Sequence, residues 1–283
     1  MSFCNQVKSE LALIKSHKCC QRAECMGLSL SLKHTADGKV VFRNQQADVA
    51  KLAVSRFDRF LNADCHVKVS ATGKNYTAYL DGCKDFNFDS IIDFSSLKKD
   101  CCAAAFVRGA FMSCGHLVDP HKNYRLDFLL PNLKISEMFA AFLTSCGFSP
   151  KSSVRKDFSV NIYFIDSSSI EDLLTFMGAT NSSLTLMEIK VEKNYTNKIN
   201  RKSNFETSNY LKTYAISTAQ VEAIYKIKSL GAFDDLSDEL KQVAEIRLNY
   251  PDASLNELVE MTKIGRSTLD RRLKKILDIS NKL

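Results

Sequence analysis

Residues 101–116 read CCAAAFVRGAFMSCGH, and residues 19–34 read CCQRAECMGLSLSLKH. Aligned without a gap, the two stretches agree at Cys19/Cys101, Cys20/Cys102, Ala23/Ala105, Gly27/Gly109, Ser31/Ser113 and His34/His116. Between these matches both are mostly apolar or small, and neither contains proline, as suits a helix. A glycine inside a helix costs about 1 kcal/mol relative to alanine. Its presence at the same place in both copies points to two helix backbones crossing at Gly27 and Gly109, where a side chain would hold them apart.

Similar elements follow each copy. After the first come a strand pattern at 39–43, a helix at 49–61 carrying Val49, Leu52, Ala53, Phe57 and Phe60 on one face, and strand runs at 65–70 and 75–80. Turns are expected at Asp37-Gly38 and Thr72-Gly73, and 82–96 reads as an irregular connection. After the second come a turn at Asp119-Pro120, a strand at 124–130, a helix at 135–146 closed by Gly147, strands at 152–156 and 159–165, and a helix at 170–177 closed by Gly178. Each unit reads helix, strand, helix, strand, strand. Two such units can pair their glycine helices at the centre and lay one sheet across both. Ahead of them, Val7, Leu11 and Ile14 mark an amphipathic N-terminal helix.

The chain has 283 residues, 45% hydrophobic and 25% charged, with a net charge of +7. That is long enough for two domains and ordinary for a globular protein. No apolar run is long enough to span a membrane. The N-terminus lacks the apolar core and cleavage site of a secretion signal, so a cytoplasmic protein is expected. The ten cysteines include no C-x-x-C pair and read as buried, reduced thiols. Histidines confined to the first half do not supply zinc-ligand spacing, so neither a metal nor another cofactor is expected. Asp37 and Asp119 recur after the repeats, and Asp-Gly and Asp-Pro read as turn dipeptides rather than metal ligands.

From Lys190 to Lys228 eight basic residues face three acidic ones. Within this stretch Lys198, Arg201, Lys202, Asn204, Asn209 and Lys212 offer charges and amides suited to phosphates. Further on, 217–230 forms a helix pattern ended by Gly231. Ser237 is placed to cap a helix to Asn249, Pro251 breaks it, and Ser254 with Glu257 forms a capping-box pattern for a short helix. A turn at 263–265 leads to a third helix, expected to be capped by Ser267, with Leu269, Leu273, Ile276 and Leu277 facing inward. A short second helix, a glycine turn and a basic third helix fit a helix-turn-helix. Candidate DNA contacts are Ser254, Lys263, Arg266, Ser267, Thr268, Asp270, Arg271, Arg272, Lys274 and Lys275.

The paired glycine helices resemble the LAGLIDADG homing endonuclease fold. VRGAFMSCG (107–115) aligns with that nine-residue motif, while CMGLSLSLK (25–33) keeps only its first glycine. Nucleases of that family place a metal-binding carboxylate at the penultimate motif position. Here those places hold Leu32 and Cys114, neither of which is a hard oxygen ligand for Mg²⁺. The whole chain further resembles the WhiA family. That likeness is carried by AAFVRGAFMSCGHLVDPHKNYRLDF (104–128), NRKSNFETSNYLKT (200–213) and NYPDASLNELVEMTKIGRSTLDRRLKKI (249–276).

The resemblance implies an α+β protein with a degenerate LAGLIDADG-like domain at 1–185, its repeats at about 19–97 and 101–180. A basic linker at 186–213 and a helix-turn-helix domain at 214–283 follow. It also implies a DNA-binding regulator of transcription, cell division and chromosome segregation, with sporulation control in some relatives and no nuclease activity. The competing class is a metal-dependent endonuclease. The expected partner is double-stranded DNA, with an RNA polymerase sigma factor as a protein candidate. A monomer associated with the nucleoid, with no membrane contact, is the expectation.

Overall fold

Gly27 and Gly109 sit where two helix backbones meet. In the computed structural model, which describes residues 2–35, 37, 39–70, 73, 75–81 and 92–283, these glycines lie on α2 (Lys18–Ser29) and α4 (Asp100–Cys114). A Cβ on Gly27 would run into Phe106 O and stand 2.6 Å from Ala110 N; one on Gly109 would run into Glu24 O and stand 3.0 Å from Leu28 N. All four are backbone atoms, so no side-chain rotation could make room. The helices also share a bond, from Ser113 Oγ to Gly27 O at 3.1 Å.

Each glycine helix opens a copy of the same unit. The first continues with β1 (Lys33–His34), β2 (Val40–Asn44), α3 (Ala47–Leu61), β3 (Asp64–Val69) and β4 (Tyr76–Asp81). The second continues with β5 (Gly115–Leu117), β6 (Leu126–Leu130), α5 (Leu133–Ser145), β7 (Lys151–Val154) and β8 (Val160–Phe164), then α6 (Ser167–Met177). Both sheets are antiparallel, in the orders β1-β2-β4-β3 and β5-β6-β8-β7. The expected single sheet is therefore two sheets of four strands, one in each repeat. The added strands, β1 and β5, come directly off the glycine helices and are too short to leave an alternating pattern. Gly38, Thr72 and 82–91, on which two turns and most of the connection were expected, lie outside the described residues.

One core fills this part of the chain, with Phe42, Phe57, Phe106, Phe111, Phe128 and Phe139 fully buried. Phe106 meets Phe94, Phe139 and Phe142 at ring separations between 5.2 and 5.9 Å, within the range of favourable aromatic pairs. The N-terminal helix α1 (Phe3–Ala12), capped by Ser2, packs against α3, α4 and β5. Buried charge is paired: Glu24, with its side chain 1% exposed, accepts from Arg56 Nε and from Arg108 Nε, both at 2.8 Å.

A single helix of 50 residues, α7 (Thr180–Ser229), follows. Its first turn is capped by Glu10, whose carboxylate accepts from Asn181 N at 2.8 Å and Ser182 N at 3.0 Å. The 186–213 stretch is thus helical, not a separate linker. It holds no glycine or proline to interrupt the ladder, although its Asn, Thr and Ser residues are weaker helix formers than its Lys, Arg and Glu. The chain divides into compact units at 1–193 and 194–283.

The second unit is helical. The end of α7 joins α8 (Asp238–Asn249), α9 (Leu255–Thr262) and α10 (Arg266–Lys282) around Ile224, Ile227, Leu240, Val243, Ala244, Leu258, Leu269, Leu273 and Ile276. Leu277, expected inside, is only half-buried. Among the described residues no helix is long and apolar enough to cross a membrane.

Candidate nucleic-acid interface

Three local devices set the angle and phase of α10. Asp238 and Glu239 lie in the first turn of α8, where carboxylates oppose the helix dipole. From its last turn, the buried Arg247 sends Nη1 to Ala253 O at 2.7 Å and so ties down the connection to α9. Burial lowers the pKa of this guanidinium. The capping box then forms as expected: Ser254 N donates to Glu257 Oε2 at 2.6 Å, and Glu257 N donates to Ser254 Oγ at 3.3 Å. After Thr262 the chain turns through Lys263, at φ 55°, and enters α10. The N-cap is Gly265, not Ser267. Gly265 O takes the first helical N–H bonds, from Thr268 and Leu269 at 3.0 Å each, so Ser267 is already inside the first turn.

On α10 the buried residues are Leu269, Leu273, Ile276 and Ser280, one stripe of a helix with 3.6 residues per turn. Ser267, Arg271, Lys274 and Lys275 fall on the opposite side and are exposed, as are Arg266 and the preceding Lys263. Thr268 and Asp270 are half-buried on the flanks, and Ser254 is occupied in its capping box. Other predicted contacts also have intramolecular partners. Arg272 Nη2 pairs with Glu239 Oε2 of α8 at 2.7 Å with only 18% of its side chain exposed, and Lys274 Nζ pairs with Asp270 Oδ2 at 2.7 Å. The Lys274 pair is at the surface, where such pairs contribute about 0–1 kcal/mol, so Lys274 can leave it for a phosphate.

The six residues singled out on the basic stretch, Lys198, Arg201, Lys202, Asn204, Asn209 and Lys212, are all exposed on α7. At 100° per residue, Lys198, Arg201, Lys202, Asn209 and Lys212 fall within one arc of about 100°, and Asn204 lies off it. The stripe runs about 21 Å along the helix. An irregular chain would have given these side chains no common face.

In the LAGLIDADG-like domain, the places that would hold nuclease carboxylates line a cleft of about 370 Å³ together with Lys33, Arg43 and Asp157. Leu32 is buried at 2% exposure. Cys114 Sγ donates to Ala110 O at 3.2 Å, and burial pushes its thiol up to about 11. Among the described residues Asp157 is the one acid lining this cleft, and it is held by the Ser159 hydroxyl at 2.6 Å. Asp119 accepts from His121 N at 3.0 Å within its own turn. Asp37 is exposed, its carboxyl kept below the usual range first by the Thr35 hydroxyl. Among the described residues, one group of His, Cys, Asp or Glu side chains converges as metal ligands would: Cys19, Cys20, Cys101 and Cys102, at the other ends of the glycine helices.

A duplicated α/β unit paired through glycine helices and followed by a helix-turn-helix defines a LAGLIDADG-like domain joined to a helix-turn-helix module. Comparison with known proteins gives the same two parts. Residues 103–196 match the WhiA LAGLIDADG-like domain, and residues 199–280 match the WhiA C-terminal HTH domain. The probable cell division protein WhiA of Ruminiclostridium cellulolyticum is 31% identical over 309 residues, covering 100% of this chain and 98% of its own. Its counterpart in Thermoanaerobacter pseudethanolicus is 32% identical over 315 residues with the same coverage. The crystal structure of full-length WhiA from Thermatoga maritima shares the fold, with a TM-score of 0.61 and 19% identity over 100% of this chain and 98% of that one. The chain belongs to the WhiA family.

Proposed function

We propose that this protein binds double-stranded DNA through α10, as a regulator of transcription, cell division and chromosome segregation, and that it does not cleave DNA. The observation that carries this reading is the division of α10 into two faces. Leu269, Leu273 and Ile276 are buried, while Ser267, Arg271, Lys274 and Lys275 are exposed on the opposite side. In a helix-turn-helix the helix in this position enters the major groove with its N-terminal part toward the bases. Arg266, Thr268 and Arg271 are therefore the base-reading candidates, with Lys274 and Lys275 toward phosphates. The stripe from Lys198 to Lys212 adds sequence-independent phosphate attraction. The absence of cleavage is supported by Leu32 and Cys114, which stand where phosphodiester chemistry needs metal-binding carboxylates.

Chromatin immunoprecipitation with sequencing, followed by binding to the recovered sites and to scrambled duplexes, tests the first part. Incubation of plasmid with Mg²⁺ or Mn²⁺ tests the second. Enrichment no different from an untagged control, or specific double-strand breaks abolished by Asp119→Ala, would overturn the reading.

A further inference from the structure

The duplication that pairs the glycine helices also brings two Cys-Cys pairs together. Cys19 and Cys20 are the second and third residues of α2, and Cys101 and Cys102 hold the same positions in α4. Crossing the helices at Gly27 and Gly109 brings these N-terminal turns together, and all four sulfur atoms lie within 4.8 Å of one another. The Cys19 and Cys20 sulfurs are 3.8 Å apart. Four thiolates around one zinc ion at about 2.3 Å would be spaced by about 3.8 Å in a tetrahedron. Local adjustment is enough to close the rest.

We propose that Cys19, Cys20, Cys101 and Cys102 form a tetrathiolate site for a zinc ion that staples the two repeats together where their central helices begin. Sulfur is the ligand that selects soft or borderline cations, and a tetrahedral set of four favours zinc over Mg²⁺ or Ca²⁺. A Zn²⁺ bound by four thiolates carries two net negative charges. Apart from Asp100, which precedes Cys101, the surroundings suit that charge: both helices point their N-termini at the cluster, and neither N-cap residue, His17 or Lys99, supplies a side-chain acceptor there. Lys18 precedes Cys19, and Lys99 lies close enough to act on the Cys19 thiol. Access is open from one side, since Cys19 and Cys101 are exposed while Cys20 and Cys102 are buried. Each thiol releases its proton as it binds. The buried pair then closes the inner half of the shell and the exposed pair the outer half.

The test uses the full-length chain, freed of metal and kept reduced with a phosphine. Titrated with Co²⁺, it should develop thiolate-to-metal charge transfer and tetrahedral d–d bands that saturate at one equivalent, and one equivalent of Zn²⁺ should bleach them. Zn²⁺ should also raise the melting temperature. The Cys19→Ser/Cys101→Ser variant, altered only at exposed positions, should keep the metal-free melting temperature and lose both responses, while Cys146→Ser keeps them. A readout on the unaltered chain stands beside these: Zn²⁺ should protect Cys19 and Cys101 from alkylation, mapped by mass spectrometry. Unchanged alkylation with Zn²⁺, Co²⁺ spectra without charge transfer, or bands that survive in the double variant overturn the site. So does a reduced chain that ignores both ions but forms a Cys19–Cys102 or Cys20–Cys101 disulfide in air, which would make the cluster a redox pair.

Discussion

Arg108 Nε donates to Glu24 Oε1 at 2.8 Å, joining the second repeat to the first inside the core. Arg56 takes the other carboxylate oxygen at 2.8 Å. Arg108 also donates from Nη1 to Met177 O at 3.2 Å and from Nη2 to Ser16 Oγ at 2.8 Å. One carboxylate thus serves two guanidinium groups that the fold has removed from water. Removing one partner of such a group leaves uncompensated buried charge and costs about 3–5 kcal/mol. Glu24→Gln should lower the denaturation midpoint by that order. Replacing Glu24, Arg56 and Arg108 together by leucine should cost less than the single change, since no charge is then stranded. Equilibrium urea unfolding of both variants checks this; a triple variant less stable than Glu24→Gln refutes it.

The glycine crossing gives a second stability prediction. Gly109→Ala places a methyl group against Glu24 O and Leu28 N, and neither can move without displacing α2. Overpacking of this kind costs about 1–3 kcal/mol, and here backbone rather than side chain must yield, so the upper end is expected. Gly27→Ala should behave alike, because Phe106 O and Ala110 N stand in the corresponding place. Thermal unfolding that leaves either variant at the melting temperature of the parent would contradict the close approach.

These two findings differ in how much of them could be read beforehand. Gly27 and Gly109 were legible because a helix tolerates glycine poorly, and the same exception occurred twice. Glu24 was not, since its repeat partner is Phe106 and nothing local says that a lone carboxylate faces two arginines from distant segments. The capping box was legible because its bonds span three residues. Gly265 displaced Ser267 as N-cap through a backbone choice that side-chain preference does not reveal. The basic stretch hid its helix because it buries almost nothing, so no apolar period marks it. The four cysteines show no ligand spacing along the chain, because it is the duplication that brings them together across it.

The capping box also makes the second unit sensitive to acid. Glu257 is held below its ordinary value of 4.5 chiefly by the Ser254 backbone N–H, then by the Ser254 hydroxyl. A carboxyl whose folded pKa is depressed contributes stability above its unfolded pKa and loses it as pH falls through the folded one. The start of α9 should therefore loosen below the ordinary carboxylate range, and Glu257→Gln should flatten that part of the profile. Carboxyl-carbon NMR across acidic pH provides the measurement. A Glu257 midpoint at or above its ordinary value would rule the effect out.

The last prediction separates the roles of neighbouring residues on α10. Arg271 stands in the middle of the exposed face, and under the proposed reading its guanidinium fork would pair bidentately with a guanine edge. Such a pair discriminates against a wrong base by about 1–3 kcal/mol. Arg271→Ala should then narrow the gap between specific and scrambled duplexes. Lys274→Ala should weaken both equally and reduce the salt slope by about one unit, the signature of a lost phosphate contact. Asp270→Asn should act the other way, since it releases Lys274 from its 2.7 Å ion pair and removes a negative charge from the flank of α10. Arg272→Ala serves as the internal contrast. Its guanidinium is committed to Glu239 at 2.7 Å, so its loss should lower the stability of the helical unit and leave the binding slope of the folded fraction unchanged. Charge removal at Arg201 and Lys202 should reduce the slope without touching specificity. Fluorescence anisotropy across a salt series measures all five. If Arg272→Ala relaxes specificity while Arg271→Ala does not, α10 meets DNA with its flank rather than its exposed face, and Arg271 is not the residue that reads the bases.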